Sequence, residues 1–285
     1  MNNEIIIVNK PINYTSRDVV NKLNKILKTK KIGHTGTLDP LATGVLVICT
    51  NSYTKLVNEL TSLDKEYIAT IKLGLSTDTL DITGTVISKE IPKDLNINTI
   101  KKILNSFKGK IIQEVPAYSA VKVKGKKLYE YARSNTQIEL PKREVEIFDI
   151  DLISYINDEI TFKVLVSKGT YIRSLIKDIC TKLNTLGTMS KLIRTKQGKF
   201  RIEDSYSLED IENNNYKYHT ITDIFDYPII TLNKNDYFKV RNGNKIKLDC
   251  KQSKVILTYN NKEIAIYEKD NDLYKCYIMF KSTNN

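Results

Sequence analysis

The side chains best suited to chemistry gather in one short stretch, residues 33–50, GHTGTLDPLATGVLVICT. Asp39 offers a carboxylate that can take a proton or attack an electrophilic carbon. Pro40 restricts Asp39 to extended backbone, so the carboxylate sits on a stiffened peptide. His34, one of only two histidines in the chain, lies five residues before it. Glycines at 33, 36 and 44 let this backbone turn or approach a ligand closely. The apolar run Val45-Leu46-Val47-Ile48-Cys49 follows and predicts a buried strand. A polar loop running into a buried strand is a common mount for catalytic groups. The same composition also suits a glycine-rich turn whose Asp caps its own backbone. A second stretch, residues 116–133, PAYSAVKVKGKKLYEYAR, interleaves Lys122, Lys124, Lys126, Lys127 and Arg133 with Tyr118, Tyr129 and Tyr131. Cations contact phosphates and aromatic rings stack on unstacked bases, so this pattern suits RNA; it also suits a surface hairpin and helix with inward tyrosines.

Several classes are excluded or disfavoured. The four cysteines (49, 180, 250 and 276) are far apart, with no CxxC pair. That argues against a zinc site and a disulfide framework and fits a reducing cytosol. Two histidines make a His-based metal site improbable, and the polar loop 76–84, with three Asp residues, lacks the ligand register of an EF-hand. No P-loop or dinucleotide fingerprint is present. No leader segment or long apolar span is found, which predicts a soluble cytoplasmic protein. Of the 285 residues, 45 are Lys or Arg and 33 Asp or Glu, giving a net charge of +12. Such an excess suits a polyanionic partner, nucleic acid being the commonest.

The elements that must position these groups are legible from periodicity. A strand is expected over 4–8, then a helix opened by a capping box, Thr15 to Asp18, with Val19, Val20, Leu23, Ile26 and Leu27 on one face. Its polar face carries Lys22, Lys25, Lys28, Lys30 and Lys31. A short helix is expected over 51–60, an alternating strand over 65–73 with Tyr67, Ala69, Ile71 and Leu73 on one side, and a helix over 99–107. Two strands, 146–155 and 160–167, join at Asn157-Asp158. Gly169 then marks a turn into a helix that places Arg173 at a strand-to-helix junction and is expected to stop at Gly187. From about residue 227, short alternating segments (254–259, 263–267 and 276–280) predict a small all-β unit.

These strings carry a resemblance. GHTGTLDPLATGVL resembles the catalytic motif of the tRNA pseudouridine synthases that act on uridine 55 of the T loop, the TruB family. NKPINYTS resembles that family's first motif, with Asn13 where a Gly is usual. KEY at 65–67 matches its KxY motif, residues 116–133 match PxxSAxKxxGxxxYxxAR, SKGTYIRSL supplies the arginine motif, and LIRTKQGKF resembles LRRTxSGxF. In the last, Ile193, Gln197 and Lys199 depart from the family. YFKVRNGNKIK at 237–247 resembles the start of a PUA-type RNA-binding domain. The resemblance covers roughly residues 4–225 through these ordered motifs.

The resemblance implies an α+β fold, with a mixed, mostly antiparallel sheet flanked by helices over 1–228. It adds an RNA-clamping insertion at about 116–143, mobile without RNA, and a small all-β PUA-like domain over 229–285. It makes Asp39 the essential catalytic residue, Arg173 its partner and Tyr67 the aromatic that stacks on the target base. His34 is implied to take the place of the extruded base. Leu192, Lys10, Asp81, Lys122 and Tyr129 are implied to bind or support the substrate. Breaking N1–C1′ and joining C5 to C1′ gains no atoms, so no cofactor and no metal are expected. The partner is the tRNA T arm, with no membrane, no obligatory protein partner and a monomeric state. Two other readings stay open: a guide-RNA-dependent synthase, which would normally carry terminal extensions whereas this chain begins at its first strand, and a tRNA-folding chaperone.

Overall fold

The computed structural model describes residues 3–280. Seven strands form the main sheet: β1 (Ile5–Lys10), β2 (Thr43–Thr50), β3 (Lys65–Leu73), β4 (Gly109–Glu114), β5 (Lys142–Ile156), β6 (Glu159–Val166) and β7 (Gly187–Gln197). Their order is β1-β2-β7-β3-β6-β5-β4, and two short strands, Ile32–His34 and Phe200–Arg201, extend it at β2 and β7. Only β7 and β2 run parallel; the other pairings are antiparallel. The sheet is thus mixed and mostly antiparallel, as expected.

Local chemistry explains the elements that support the site. Helix α1 (Ser16–Ile26) opens with the expected capping box: Asp18 N–H donates to Thr15 Oγ1 at 3.1 Å and Thr15 N–H to Asp18 Oδ2 at 2.9 Å. Asn13 adopts φ 65°, the left-handed conformation an Asn tolerates where the family has Gly. Asn157 and Asp158 both have positive φ, the backbone a tight β5–β6 hairpin requires. Along β1 and β2, Ile5, Ile7, Val45 and Val47 face one layer; Ile6, Val8, Leu46 and Ile48 face another, under α1. Both faces being covered explains the unbroken apolar run after Gly44. Helices α2 (Ile97–Asn105) and α4 (Ile172–Lys182) pack against β3, β5 and β6 to form the largest core cluster. Between them in sequence, α3 (Leu128–Arg133) follows a two-residue hairpin, Lys122–Val123 with Lys126–Lys127, in the 116–143 insertion.

Three expectations are corrected. Residues 51–60 are a 3-10 turn, Asn51–Leu56, followed by a one-turn helix, Val57–Thr61. Helix α4 stops at Lys182 rather than Gly187, because Asn184 takes φ 53° and reverses the chain. Gly187 instead begins β7, where a Cβ would strike Cys180 and Ile71. The C-terminal unit is not purely β: beside the sheet of β8 (Ile229–Thr231), β9 (Lys254–Tyr259), β10 (Lys262–Asp270) and β11 (Leu273–Met279) it holds helix α5 (Lys234–Arg241). Ile256, Ile266, Ile278 and Phe280 of this unit share one apolar layer with Ile5, Val45 and Val47. Tyr53 also donates to Glu263 across the junction.

Gly44 is fixed by geometry. It has φ 97°, and a Cβ there would fall on the Arg194 carbonyl of the parallel neighbour β7. Gly44→Ala is expected to lower stability by about 2–4 kcal/mol, read as a fall in the thermal midpoint, since backbone rather than a flexible side chain must move.

Candidate active site

The loop bearing Asp39 is held from three sides. Ser16, the first residue of α1, accepts the Leu38 N–H at 2.9 Å. The Lys10 ammonium donates to the carbonyls of Pro11 (2.9 Å), Tyr14 (2.6 Å) and Pro40 (3.3 Å). Arg194 donates from Nε to Val45 O at 2.5 Å and from Nη2 to Gly36 O at 3.0 Å. Gln197, a departure from the family motif, donates to Thr35 and Leu60 from a fully buried position. Asp39 itself closes a turn, its carbonyl accepting Ala42 N–H at 3.0 Å.

Arg173 reaches this carboxylate from the first turn of α4. Its Nη2 donates to Asp39 Oδ1 at 3.2 Å, and its Nε lies 2.9 Å from Oδ2 in a charge contact not aligned as a hydrogen bond. The same guanidinium donates to Thr79 O at 2.9 Å and Tyr118 O at 3.0 Å. One buried cation therefore joins the Asp39 loop, the 77–84 loop and the 116–143 insertion. Asp39 keeps 31% of its side chain exposed, towards a cavity, while Arg173 keeps 6%. Burial raises the Asp39 carboxyl above the usual range; Arg173 opposes that shift, with Lys10 a weaker aid and Asp81 adding to the rise. Burial, reinforced by the charges of Arg194 and Arg17, lowers His34. Burial also pulls Lys10 down to about 8.

The cavity measures about 510 Å3, and Asp39, Tyr67, Tyr129, Tyr171, Arg173 and Leu192 are among its walls. Tyr67 comes from β3 and Leu192 from β7, on neighbouring strands. Tyr129 comes from α3, where Lys127 and Arg133 flank its ring at 5.3 and 5.4 Å. Asp39, Tyr67, Leu192, Arg173 and Tyr129 are therefore brought together as expected from sequence. The other four expected site residues are not on this wall. His34 sits on the short strand behind the loop, its Nδ1 accepting Gly36 N–H at 3.4 Å. Lys10 is completely buried and serves the loop carbonyls, so in this structure it supports the loop. Asp81 accepts from Thr79 Oγ1, Thr83 N–H and Thr83 Oγ1, shaping the loop that offers the Thr79 carbonyl to Arg173. Lys122 is exposed on the clamp hairpin. Tyr171, Ser119 and the Thr79 and Tyr118 carbonyls were not singled out from sequence; Tyr171, inside the arginine motif, and Ser119, the Ser of the PxxSAxK motif, gave a signal there. No cluster of His, Cys, Asp and Glu among the described residues could hold a metal ion, and no described helix is long and apolar enough to cross a membrane.

The architecture recurs in solved structures of multi-component assemblies. A Cbf5–Nop10–Gar1 complex superposes with a TM-score of 0.72 at 23% identity, covering 98% of this chain and 85% of that one. An H/ACA RNP bound to a substrate RNA containing 2′-deoxyuridine gives 0.69 at 22%, covering 99% and 86%. At these identities the likeness shows a shared fold. The profile of the TruB family pseudouridylate synthase N-terminal domain matches residues 24–172. The tRNA pseudouridine synthase B of Mesoplasma florum is 41% identical over 95% of this chain and 96% of its own length. That of Bacillus subtilis is 47% identical over 74% and 71%. The chain belongs to the TruB family.

Proposed function

We propose that this protein converts uridine 55 of the tRNA T loop to pseudouridine, with Asp39 as the catalytic carboxylate. The observation that carries the reading is the Asp39–Arg173 pair set at a cavity between Tyr67 and Leu192, in a chain alike along nearly its full length to enzymes named tRNA pseudouridine synthase B. The uridine leaves the T-loop stack at a cost of a few kcal/mol, and His34 offsets this by intercalating where the base was. Tyr67 and Leu192 hold the extruded base. The N1–C1′ bond breaks, the uracil turns within the cavity, and C5 bonds to C1′; N1 gains a proton and C5 loses one. Asp39 acts either as nucleophile or as base on the sugar, and both roles need it ionised. Arg173 favours that form and fixes its orientation. Excluding water strengthens the pair and keeps the detached uracil from escaping.

The catalytic part spans 1–228 and the C-terminal unit, 229–285, is a PUA-type RNA-binding module. The enzyme acts in the cytoplasm as a monomer on naked tRNA, without cofactor or protein partner. The test is tritium release from unmodified tRNA labelled at uridine C5, using purified protein alone. About one tritium per tRNA is expected; none, with tRNA still bound, would refute a stand-alone synthase.

The clamp contributes phosphate contacts. Lys122→Glu is expected to weaken tRNA binding roughly tenfold at low salt and much less at high salt, because screening removes a phosphate contact. A salt-independent loss would take Lys122 out of the RNA footprint.

A further inference from the structure

Helix α4, which delivers Arg173, starts in an unusual way. Its N-cap is Tyr171, which makes no side-chain cap bond, and its first turn has no acidic residue. The Tyr171 ring is committed to the cavity wall, so it cannot cap. The first backbone groups of such a helix need partners from elsewhere. Gln113, completely buried on β4, serves the first of them, the Tyr171 N–H. Its Oε1 accepts Tyr171 N–H at 2.7 Å and its Nε2 donates to Tyr171 O at 3.1 Å. Next along the strand, Glu114 O accepts Ser174 Oγ at 2.8 Å. Three bonds from two consecutive residues of β4 thus hold the turn that carries both Tyr171 and Arg173.

The same strand is the root of the clamp. After Glu114 comes Val115, whose N–H donates to Pro141 O at 3.0 Å and so closes the base of the 116–143 insertion. The insertion also touches the first turn of the helix, through Tyr118 O on Arg173. We infer that Gln113 is a positioning residue: it locks the Tyr171 backbone so that Arg173 meets Asp39, and ties that geometry to the root of the RNA clamp. It touches no substrate, and the inference rests on the assignment of Asp39 and Arg173 as the reactive pair.

The experiment compares wild type, Gln113→Leu and Gln113→Glu in single turnover on a T-arm stem-loop tritiated at uridine C5, from pH 6 to 9, with RNA affinity measured separately. Gln113→Leu keeps the volume and loses both bonds. Its rate constant is expected to fall 10- to 100-fold with affinity changed less than threefold. Its acidic limb should move to higher pH, because a displaced Arg173 lowers Asp39 less, while Lys10 from β1 and Asp81 from the 77–84 loop still face it. Gln113→Glu gives the more selective signature. A buried carboxyl has a raised pKa, and its protonated form can donate to Tyr171 O and accept from Tyr171 N–H as the amide does. This variant should approach wild type at acidic pH and fall behind it as pH rises. A wild-type rate in Gln113→Leu, or a loss that appears equally in affinity, would overturn the inference. Should Gln113→Leu fail to fold, a Gln113→Glu to wild-type ratio flat across pH does so alone. Failure of the underlying assignment is distinguishable: it shows as tritium release surviving Asp39→Asn.

Discussion

Asp39→Asn should abolish tritium release from C5-labelled tRNA, lowering the rate by about 10⁴-fold or more, the scale seen when a group central to covalent chemistry is removed. Affinity for tRNA should stay within a few-fold of wild type. The substitution is nearly isosteric, and an Asn Oδ1 can still accept from Arg173 Nη2, which also keeps its bonds to Thr79 O and Tyr118 O. The cavity walls therefore persist while the ionisable group is gone. Losing one negative charge near incoming phosphates does not weaken their approach. Filter binding beside the tritium assay reads both quantities. Binding lost together with activity would mean that Asp39 holds the loop and not the reaction.

Arg173→Met should lower the rate by about 10³-fold and shift its pH dependence in a defined direction. Burial raises the Asp39 carboxyl, and Arg173 is the first influence opposing that rise. Without it the folded-state value climbs further, so the fraction ionised at a given pH falls. Since the active form is the carboxylate, the acidic limb of the rate profile moves to higher pH. Stability should fall by about 3–5 kcal/mol, because breaking a buried ion pair leaves its partner uncompensated, and two carbonyls lose their donor. Arg173→Lys should recover little of the rate, since a point cation cannot serve Asp39, Thr79 O and Tyr118 O together. The check is a pH–rate profile alongside thermal unfolding; an unmoved acidic limb would mean that the pair does not govern the titration.

What was legible in the sequence follows from what leaves a side-chain signature. The Asp39 loop, the strand Lys65–Leu73 with Tyr67 inward, and the Thr15 capping box were read from residue types and spacing alone. Strand β7 was not read as a strand. Register shifts between Met189 and Lys191 and between Arg194 and Lys196 break its period of two, so Leu192 was visible only through its motif. Helix α5 is eight residues with a weak apolar face and sits among strand-like segments. Lys10 entered as a substrate-binding residue only through the family resemblance; its ammonium is consumed by three carbonyls. The Thr79 and Tyr118 carbonyls on Arg173 were unreadable in principle. Any residue carries a backbone carbonyl, so nothing in the string marks which one a distant guanidinium will choose. Gln113 stayed hidden for a related reason: its partners are the backbone groups of Tyr171, 58 positions away.

The apolar layer shared by Ile5, Val45 and Val47 with Ile256, Ile266, Ile278 and Phe280 sets an order of events during synthesis. A ribosome adding about 5–20 residues per second finishes the Asp39 loop early, with strand β2 directly behind it. Tyr53, Leu56 and Leu60 of the same layer follow at once, but Ile256, Ile266, Ile278 and Phe280 are made more than two hundred positions later. Until these four emerge, the layer against β2 is only partly built, and the nascent chain rests on an unfinished scaffold. Completion of this layer is thus tied to the arrival of the final sheet.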